Sequence, residues 1–394
     1  MSSIHIVGIE AIPVEVPRRR HHAMASMAMS SARHVVVRLL TDSEHVGLGE
    51  APINPRWGGD HGRYYGEEAG ATRHLLTDVL FPAIDGSDVY DVERLLEIMD
   101  RTIRGYPYAK AAIDMAVHDV IGKATGLSVA QLLGGAFRQS VPLAQSLGFM
   151  PTAQAVDEAV AAVGEGLRAI KIKVGVDFPR DIETVREVRA AVGPHVSITL
   201  DANQAYPSPK VAIRQIERLE AYGIDLIEQP VQGLREMAIV TASVNTPVMA
   251  DESAWTARDV LEIATTRAAD AISIYVTKPG GLFRAREMIA VAQAAGLPCN
   301  VNGSGELGIG NAANVQLAAS REIVSLPCVF PISAPAEQAP TTVAGRQYVD
   351  DLVTKPMAYS EGSVALPEEP GLGVTLDPVK LERYRTDRVG ETEE

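Results

Sequence analysis

The spacing of apolar residues changes period along this chain. Residues 1 to 16 alternate apolar and polar, and Arg33-His-Val-Val-Val-Arg-Leu39 resumes the alternation, which predicts two paired strands. Between them Arg18-Arg-Arg-His-His22 and Met24, Met27 and Met29 break the pattern, so the pair is expected to be a hairpin with a long loop near 17–33. A Gly- and Pro-punctuated stretch, Asn54-Pro-Arg-Trp-Gly-Gly-Asp-His61, predicts a second loop near 52–62. Residues 68–134 then take helical spacing, with apolar faces in Leu75 to Leu80, Val92 to Met99 and Ala109 to Ile121.

From about Val141 short apolar runs alternate with helical stretches such as Thr152 to Gly166 and Lys210 to Tyr222. Pro142 to Ser146, Arg168 to Lys173, Val196 to Leu200, Ile224 to Ile227, Pro247 to Ala250, Ala271 to Tyr275 and Pro298 to Val301 read as successive strands. Val324 to Pro331 would be the eighth or its irregular remnant. The alternation predicts an α/β fold, a modified TIM (β/α) barrel over 136–334. A smaller α+β domain over 1–135 precedes it, and the Pro- and Gly-rich residues 335–394 are expected to return to that domain. A chain of 394 residues, 46% hydrophobic, is long enough for both units.

Charged residues stand where these strands end. Lys171 and Lys173 close one, Asp201-Ala-Asn203 follows the next, and Glu228-Gln-Pro230 and Asp251-Glu-Ser253 follow two more. The acids fall roughly 25 residues apart, about one β-plus-α unit. Strand C-termini of a parallel barrel converge on one face, so three carboxylates would share a centre and need a cation between them. Oxygen ligands without His or Cys suit a hard ion, Mg²⁺ better than Zn²⁺, which makes Asp201, Glu228 and Asp251 the candidate ligands. Period-two alternation places Lys171 and Lys173 on one inward face. Adjacent ammoniums beside a divalent ion are expected to depress one another's pKa, leaving one as a base near neutral pH. A base facing a Lewis acid suits abstraction of a proton α to a carboxylate, through an enediolate.

Lys-x-Lys, Asp-x-Asn, Glu-Gln-Pro and Asp-Glu-Ser in this order resemble the enolase superfamily, in the branch containing muconate lactonizing enzymes and mandelate racemase. Ala109-Lys-Ala-Ala-Ile-Asp-Met-Ala-Val-His-Asp119, followed by Gln131-Leu-Leu-Gly-Gly135, is similar to the segment leading into that family's barrel, so the likeness covers nearly the whole chain. It implies that the smaller domain caps the barrel and that the two loops close over its mouth. On the first loop His22, Arg20 or His21 would meet a second anionic group, unless the basic run is only solvated. On the second, Trp57 would cover the substrate or meet a cation, unless it packs between domains. Lys173 would handle the α-proton and Lys171 tune it, with Asn203 and Glu252 orienting ligands or Lys173. Relatives often form symmetric homo-oligomers.

Two departures bear on the reaction that the resemblance implies. Mandelate racemase-like members use a His–Asp dyad on the seventh and sixth strands, whereas the last histidine here is His195. In the muconate and dipeptide-epimerase branches the second base is a Lys about five residues before a Gly-Gly pair. Counting back from Gly280-Gly281, that position holds Tyr275, a phenol that would need lysine or metal neighbours to shuttle protons, or would simply hydrogen-bond in the mouth. Lys278 is nearer the glycines and becomes the second base, or a substrate contact, only with a shift of register. Glu306 matches the acid after the seventh strand of the muconate branch, where it orients substrate or relays a proton. Phe330-Pro-Ile-Ser333 replaces the Asp-x-Asp that holds a dipeptide's ammonium, so a free dipeptide is not expected. The expected function is a lyase or cycloisomerase using one lysine, such as a syn-dehydratase or a muconate cycloisomerase-like enzyme. Alternatives are a racemase or epimerase of an amino or hydroxy acid derivative, and a non-catalytic carboxylate-binding barrel.

Charge sharpens the picture. A net charge of −14 argues against nucleic acid and anionic membrane as partners, so a small carboxylate must be drawn in locally by lysines and metal. Two cysteines, Cys299 and Cys328, make no disulfide framework, and no signal-like or membrane-spanning apolar run is seen. A cytoplasmic enzyme is expected.

Overall fold

The structure is a computed structural model that describes residues 3–23, 28–62 and 66–387, with backbone but not side chains for 20–23, 28–29 and 62. Three antiparallel strands open the chain: β1 (Ile6–Ala23), β2 (Ala28–Thr41) and β3 (Gly47–Pro52), in the order β1-β2-β3. Successive strand residues point to opposite faces, and in β2 both faces are buried. Val35, Val37 and Leu39 enter one apolar core with the first helices, while Val36 enters the larger core that continues into the barrel. The helix Pro107–Thr125 is buried over most of its length. It lies so close to β3 that a Cβ on Gly49 would collide with the Ala112 carbonyl, the close backbone approach glycine permits.

The long loop expected at 17–33 is mostly strand. β1 and β2 stay paired to Ala23↔Ala28, with a register shift between Pro17 and His22. The far C-terminal chain supplies partners the local sequence does not reveal. Arg19 N–H donates to Gln347 O (2.9 Å) and Val349 N–H to Pro17 O (3.0 Å), so polar residues here still satisfy their backbone groups. His22, Arg20 and His21 have side chains outside the described residues.

After β4 (Ser140–Pro142) come seven parallel strands: β5 (Gln145–Leu147), β6 (Ala169–Lys173), β7 (Ser197–Asp201), β8 (Leu226–Glu228), β9 (Val248–Ala250), β10 (Ala271–Ile274) and β11 (Cys299–Val301). Residues 324–329 fill the eighth position irregularly, through single bridges Cys299↔Val324, Leu143↔Cys328 and Asn302↔Val329. Crossover helices start on side-chain caps: Asp177 accepts from Arg180 N, Ser208 from Val211 N and Thr256 from Asp259 N, each satisfying a first-turn amide. Strands β12 (Tyr359–Ser360) and β13 (Ser363–Ala365) pair with β4, and residues beyond them rejoin β1 at Val14↔Arg385. Among the described residues no helix is long and apolar enough to cross a membrane.

Candidate active site

Strand register sets the site. Lys173 pairs with Asp201 across β6–β7, and Asp201 with Glu228 across β7–β8, so three charged residues stand in a row at the strands' C-terminal ends. Asp251 follows β9 directly. Lys171, two residues before Lys173, shares its face and contacts Asp201 Oδ2 and Glu228 Oε2, both at 2.8 Å. Lys173 Nζ donates to Asp201 Oδ2 (2.6 Å) and Asn203 Oδ1 (2.7 Å), and Asn203 Nδ2 to Glu252 Oε1 (3.0 Å). Asn203 takes a left-handed backbone, φ 42°, which a short amide tolerates.

The charges do not balance. Four buried carboxylates (Asp201, Glu228, Asp251, Glu252) meet three buried ammoniums (Lys171, Lys173, Lys278). Burial would raise the Asp201 carboxyl, but Lys171 and Lys173 outweigh it and hold it well below the usual range. Burial and then the Asp201 charge push Glu228 up to about 8, and burial with Asp251 and Asp201 raises Glu252 well above the ordinary carboxylate value. Such crowding favours a cation among the oxygens. Glu252 Oε2 is buried with no hydrogen-bond partner, and the donors are all carboxylates, so the residues present fit a hard divalent ion such as Mg²⁺. Among the described residues, no three Asp, Glu, His or Cys side chains close together as a ready cage; the Lys171 ammonium stands between Asp201 and Glu228.

The mutual depression expected of the lysines is not what Lys171 experiences. Burial lowers its pKa, yet Asp201, Glu228 and Asp251 together lift it above the ordinary lysine value. Paired with those carboxylates it is an ammonium, suited to holding an anion.

A cleft of about 760 Å³ opens over this row, and Lys171, Lys173, Asp201, Asn203, Asp251, Tyr275 and Trp57 all reach it. Trp57 lines the cleft and packs between the two units, its ring 5.1 Å from Trp255 and 5.5 Å from Tyr275. Its loop is tied down by Asp60, which accepts from Gln204 Nε2 (2.7 Å), Gly233 N (3.1 Å) and Ser253 Oγ (2.6 Å).

Tyr275 forms part of the far wall, its hydroxyl 3.5 Å from Asp251 Oδ2. Burial, reinforced by the Asp251 and Glu228 charges, raises its pKa well above 10, so it remains a neutral phenol. Lys278 does not line the cleft. It lies sealed behind the wall, donating to Asp251 Oδ1 (2.8 Å), Asp251 O (2.9 Å) and Ser273 O (2.7 Å), so the expectation of a substrate contact there is corrected. Its three donors are spent on structure. Glu306 is also buried and does not line the cleft; burial raises it to about 7, against the Glu306 and Ser304 amides and Asn314, which lower it.

Several cleft residues were not singled out from sequence: Asn54, Ser146, Asn302, Ser304 and Gln347. Asn302 and Ser304 sit in the Gly-rich run after β11, where a topological position beyond a barrel strand's end was the available signal. Gln347 carried none, because it arrives from the C-terminal chain.

Residues 7–134 match the family profile described as mandelate racemase / muconate lactonizing enzyme, N-terminal domain, and residues 154–380 that described as enolase C-terminal domain-like. Muconate cycloisomerase 1 of Rhodococcus opacus is 33% identical over 385 residues, 96% of this chain and 97% of its own. An L-Ala-D/L-Glu epimerase of Clostridium acetobutylicum is 33% identical over 365 residues, 92% of this chain and 96% of its own. The crystal structure of a dipeptide epimerase from Enterococcus faecalis, complexed with Mg and L-Leu-L-Tyr, superposes with a TM-score of 0.83 at 31% identity, covering 95% of this chain and 100% of that one.

Proposed function

This chain belongs to the mandelate racemase / muconate lactonizing enzyme family of the enolase superfamily, and from that premise we propose that it is a Mg²⁺-dependent lyase or cycloisomerase that works on a small carboxylate with one proton-transferring lysine. Membership makes it an enolase-superfamily enzyme; the reaction is our reading. Asp201, Glu228 and Asp251 would hold Mg²⁺, which supplies positive charge against the substrate carboxylate as the α-proton leaves. Lys171, a fixed cation beside that position, stabilises the same developing charge. Lys173 takes the α-proton. Asn203, itself fixed by Glu252, holds its Nζ in place, so the proton can return from the same face to a departing β-group or to carbon.

The observation that carries this reading is the far wall. A second base opposite Lys173 would have to be Tyr275 or Lys278, and one is a neutral phenol while the other is locked to Asp251 and two carbonyls. One-base chemistry, syn elimination or cycloisomerisation, asks nothing of that face. A second reading has its own support: 1,1-proton transfer needs an acid opposite the base, a neutral phenol in the cleft can be one, and similar proteins include epimerases. Chiral α-carboxylates turned over in ²H₂O with Mg²⁺ separate the two. One-base chemistry gives elimination, or α-deuterium with retained configuration; deuterium with inversion would establish the racemase or epimerase reading instead. Loss of all exchange on chelation and its return with Mg²⁺ are expected under both.

A further inference from the structure

The glutamine of Glu228-Gln-Pro230 and the serine of Asp251-Glu-Ser253 have no part in this chemistry, yet both are buried. Gln229 takes a left-handed backbone, φ 39°, and so does Gln204, φ 64°, conformations that such residues hold only where their surroundings fix them. Here hydrogen bonds do so. Gln229 Oε1 accepts from Asp251 N (2.9 Å) and Ser253 N (3.2 Å), while its Nε2 donates to Ser253 Oγ (2.7 Å) and Val231 O (2.9 Å). Gln204 N donates to Gln229 O (2.8 Å), which joins the turn after β7 to the turn after β8. The Ser253 hydroxyl donates in turn to Asp60 Oδ2 (2.6 Å).

Asp60 comes from the other unit, on the loop that carries Trp57. Its carboxylate meets the chain just beyond each strand that bears a candidate metal ligand: Gln204 Nε2 after Asp201, Gly233 N after Glu228 and Ser253 Oγ after Asp251. None of these donors is charged, and Asp60 is buried without lining the cleft. What it does is hold three ligand-bearing turns to one loop.

We propose that Asp60, Ser253 and Gln229 are positioning residues that couple docking of the Trp57 loop to the geometry of the Mg²⁺ ligands. With the loop docked, Asp60 fixes Ser253, Ser253 fixes Gln229, and Gln229 fixes the Asp251 amide, so the Asp251 carboxylate is held ready for the ion. Partners that orient a ligand in this way raise metal affinity. The coupling is reciprocal, because whatever loop docking adds to Mg²⁺ affinity, bound Mg²⁺ adds to loop docking. A loaded site therefore favours the Trp57 wall of the cleft. This rests on the reading of Asp201, Glu228 and Asp251 as the Mg²⁺ ligands.

Calorimetric titration of Mg²⁺ into the metal-stripped chain, together with amide hydrogen exchange over 54–62, tests the coupling without any substrate. Ser253→Ala removes only the middle hydroxyl and should weaken Mg²⁺ binding about tenfold, the lower end of what such outer partners contribute. Asp60→Asn, which replaces one acceptor with a donor, should weaken it by a similar factor. The double variant should bind little worse than either single one, because both break the same chain of bonds. In wild type, saturating Mg²⁺ should slow exchange over 54–62 by about the same factor, and in Ser253→Ala by less than about twofold. Mg²⁺ affinity within about twofold of wild type in both single variants, fully additive losses in the double one, or exchange over 54–62 that Mg²⁺ leaves unchanged overturns the coupling. A wild type that takes up no Mg²⁺ would instead be a failure of the metal reading beneath it.

Discussion

Replacing Lys278 with methionine separates a structural lysine from a catalytic one. The side chain has no exposed surface and pairs with Asp251 at 2.8 Å, while two more donors reach the Asp251 and Ser273 carbonyls. Methionine keeps most of the volume and removes the charge. Breaking one side of a buried pair costs about 3–5 kcal/mol, because the remaining charge is left uncompensated, and the two orphaned carbonyls add to that. With a urea m-value of about 3 kcal/mol/M, the unfolding midpoint should fall by roughly 1–2 M in chelator. Mg²⁺ should recover part of the loss, since a cation beside Asp251 replaces the missing ammonium. The assay is a pair of urea titrations, with EDTA and with Mg²⁺, alongside α-proton exchange by the folded protein. A midpoint shift under about 0.3 M together with complete loss of exchange would refute the reasoning and make Lys278 the second base.

Two further predictions follow from buried carboxylates. Asp60→Ala removes three hydrogen bonds that anchor the Trp57 loop; KM should rise about tenfold with kcat changed less than threefold, consistent with one or two lost charged contacts, and a loss confined to kcat would contradict an anchoring role. Glu67 accepts the Tyr108 and Ala109 amides at the start of a long helix, and burial lifts its pKa from 4.5 to about 7. An acid raised on folding stabilises below its unfolded value and loses that contribution as pH rises through its folded one. Wild type should therefore lose roughly 2–3 kcal/mol relative to Glu67→Gln between pH 5 and pH 8, read from urea midpoints; parallel pH profiles would show that Glu67 titrates normally.

The barrel and its acids were legible because both depend on local pattern. Each short β-prone run ends at a turn, and a strand's C-terminal end in a parallel barrel is a defined place, so Asp201, Glu228 and Asp251 could be set around one centre from spacing alone. What failed to show depends on distant chain. β1 continues past Pro17 because Gln347 and Val349 bond to it, and those residues lie about 330 positions away. The surroundings of Lys171 were hidden from the sequence for a related reason. Its neighbour in sequence is Lys173, but its nearest charges are carboxylates from β7 and β8, and contact distance outweighs sequence proximity in setting a pKa. Lys278 and Glu306 sit in polar-looking stretches yet lie behind the cleft wall, a matter of which way a loop turns.

Solvent-deuterium exchange at the α-carbon, measured over a panel of mono- and dicarboxylates with Mg²⁺ for wild type, Lys173→Ala and Tyr275→Phe, tests the single-lysine mechanism most directly. That mechanism predicts exchange in wild type, none above background in Lys173→Ala, and at least a third of the wild-type rate in Tyr275→Phe, allowing about 0.7 kcal/mol for a lost neutral hydrogen bond. Exchange that survives Lys173→Ala, or that disappears with Tyr275→Phe, would contradict it.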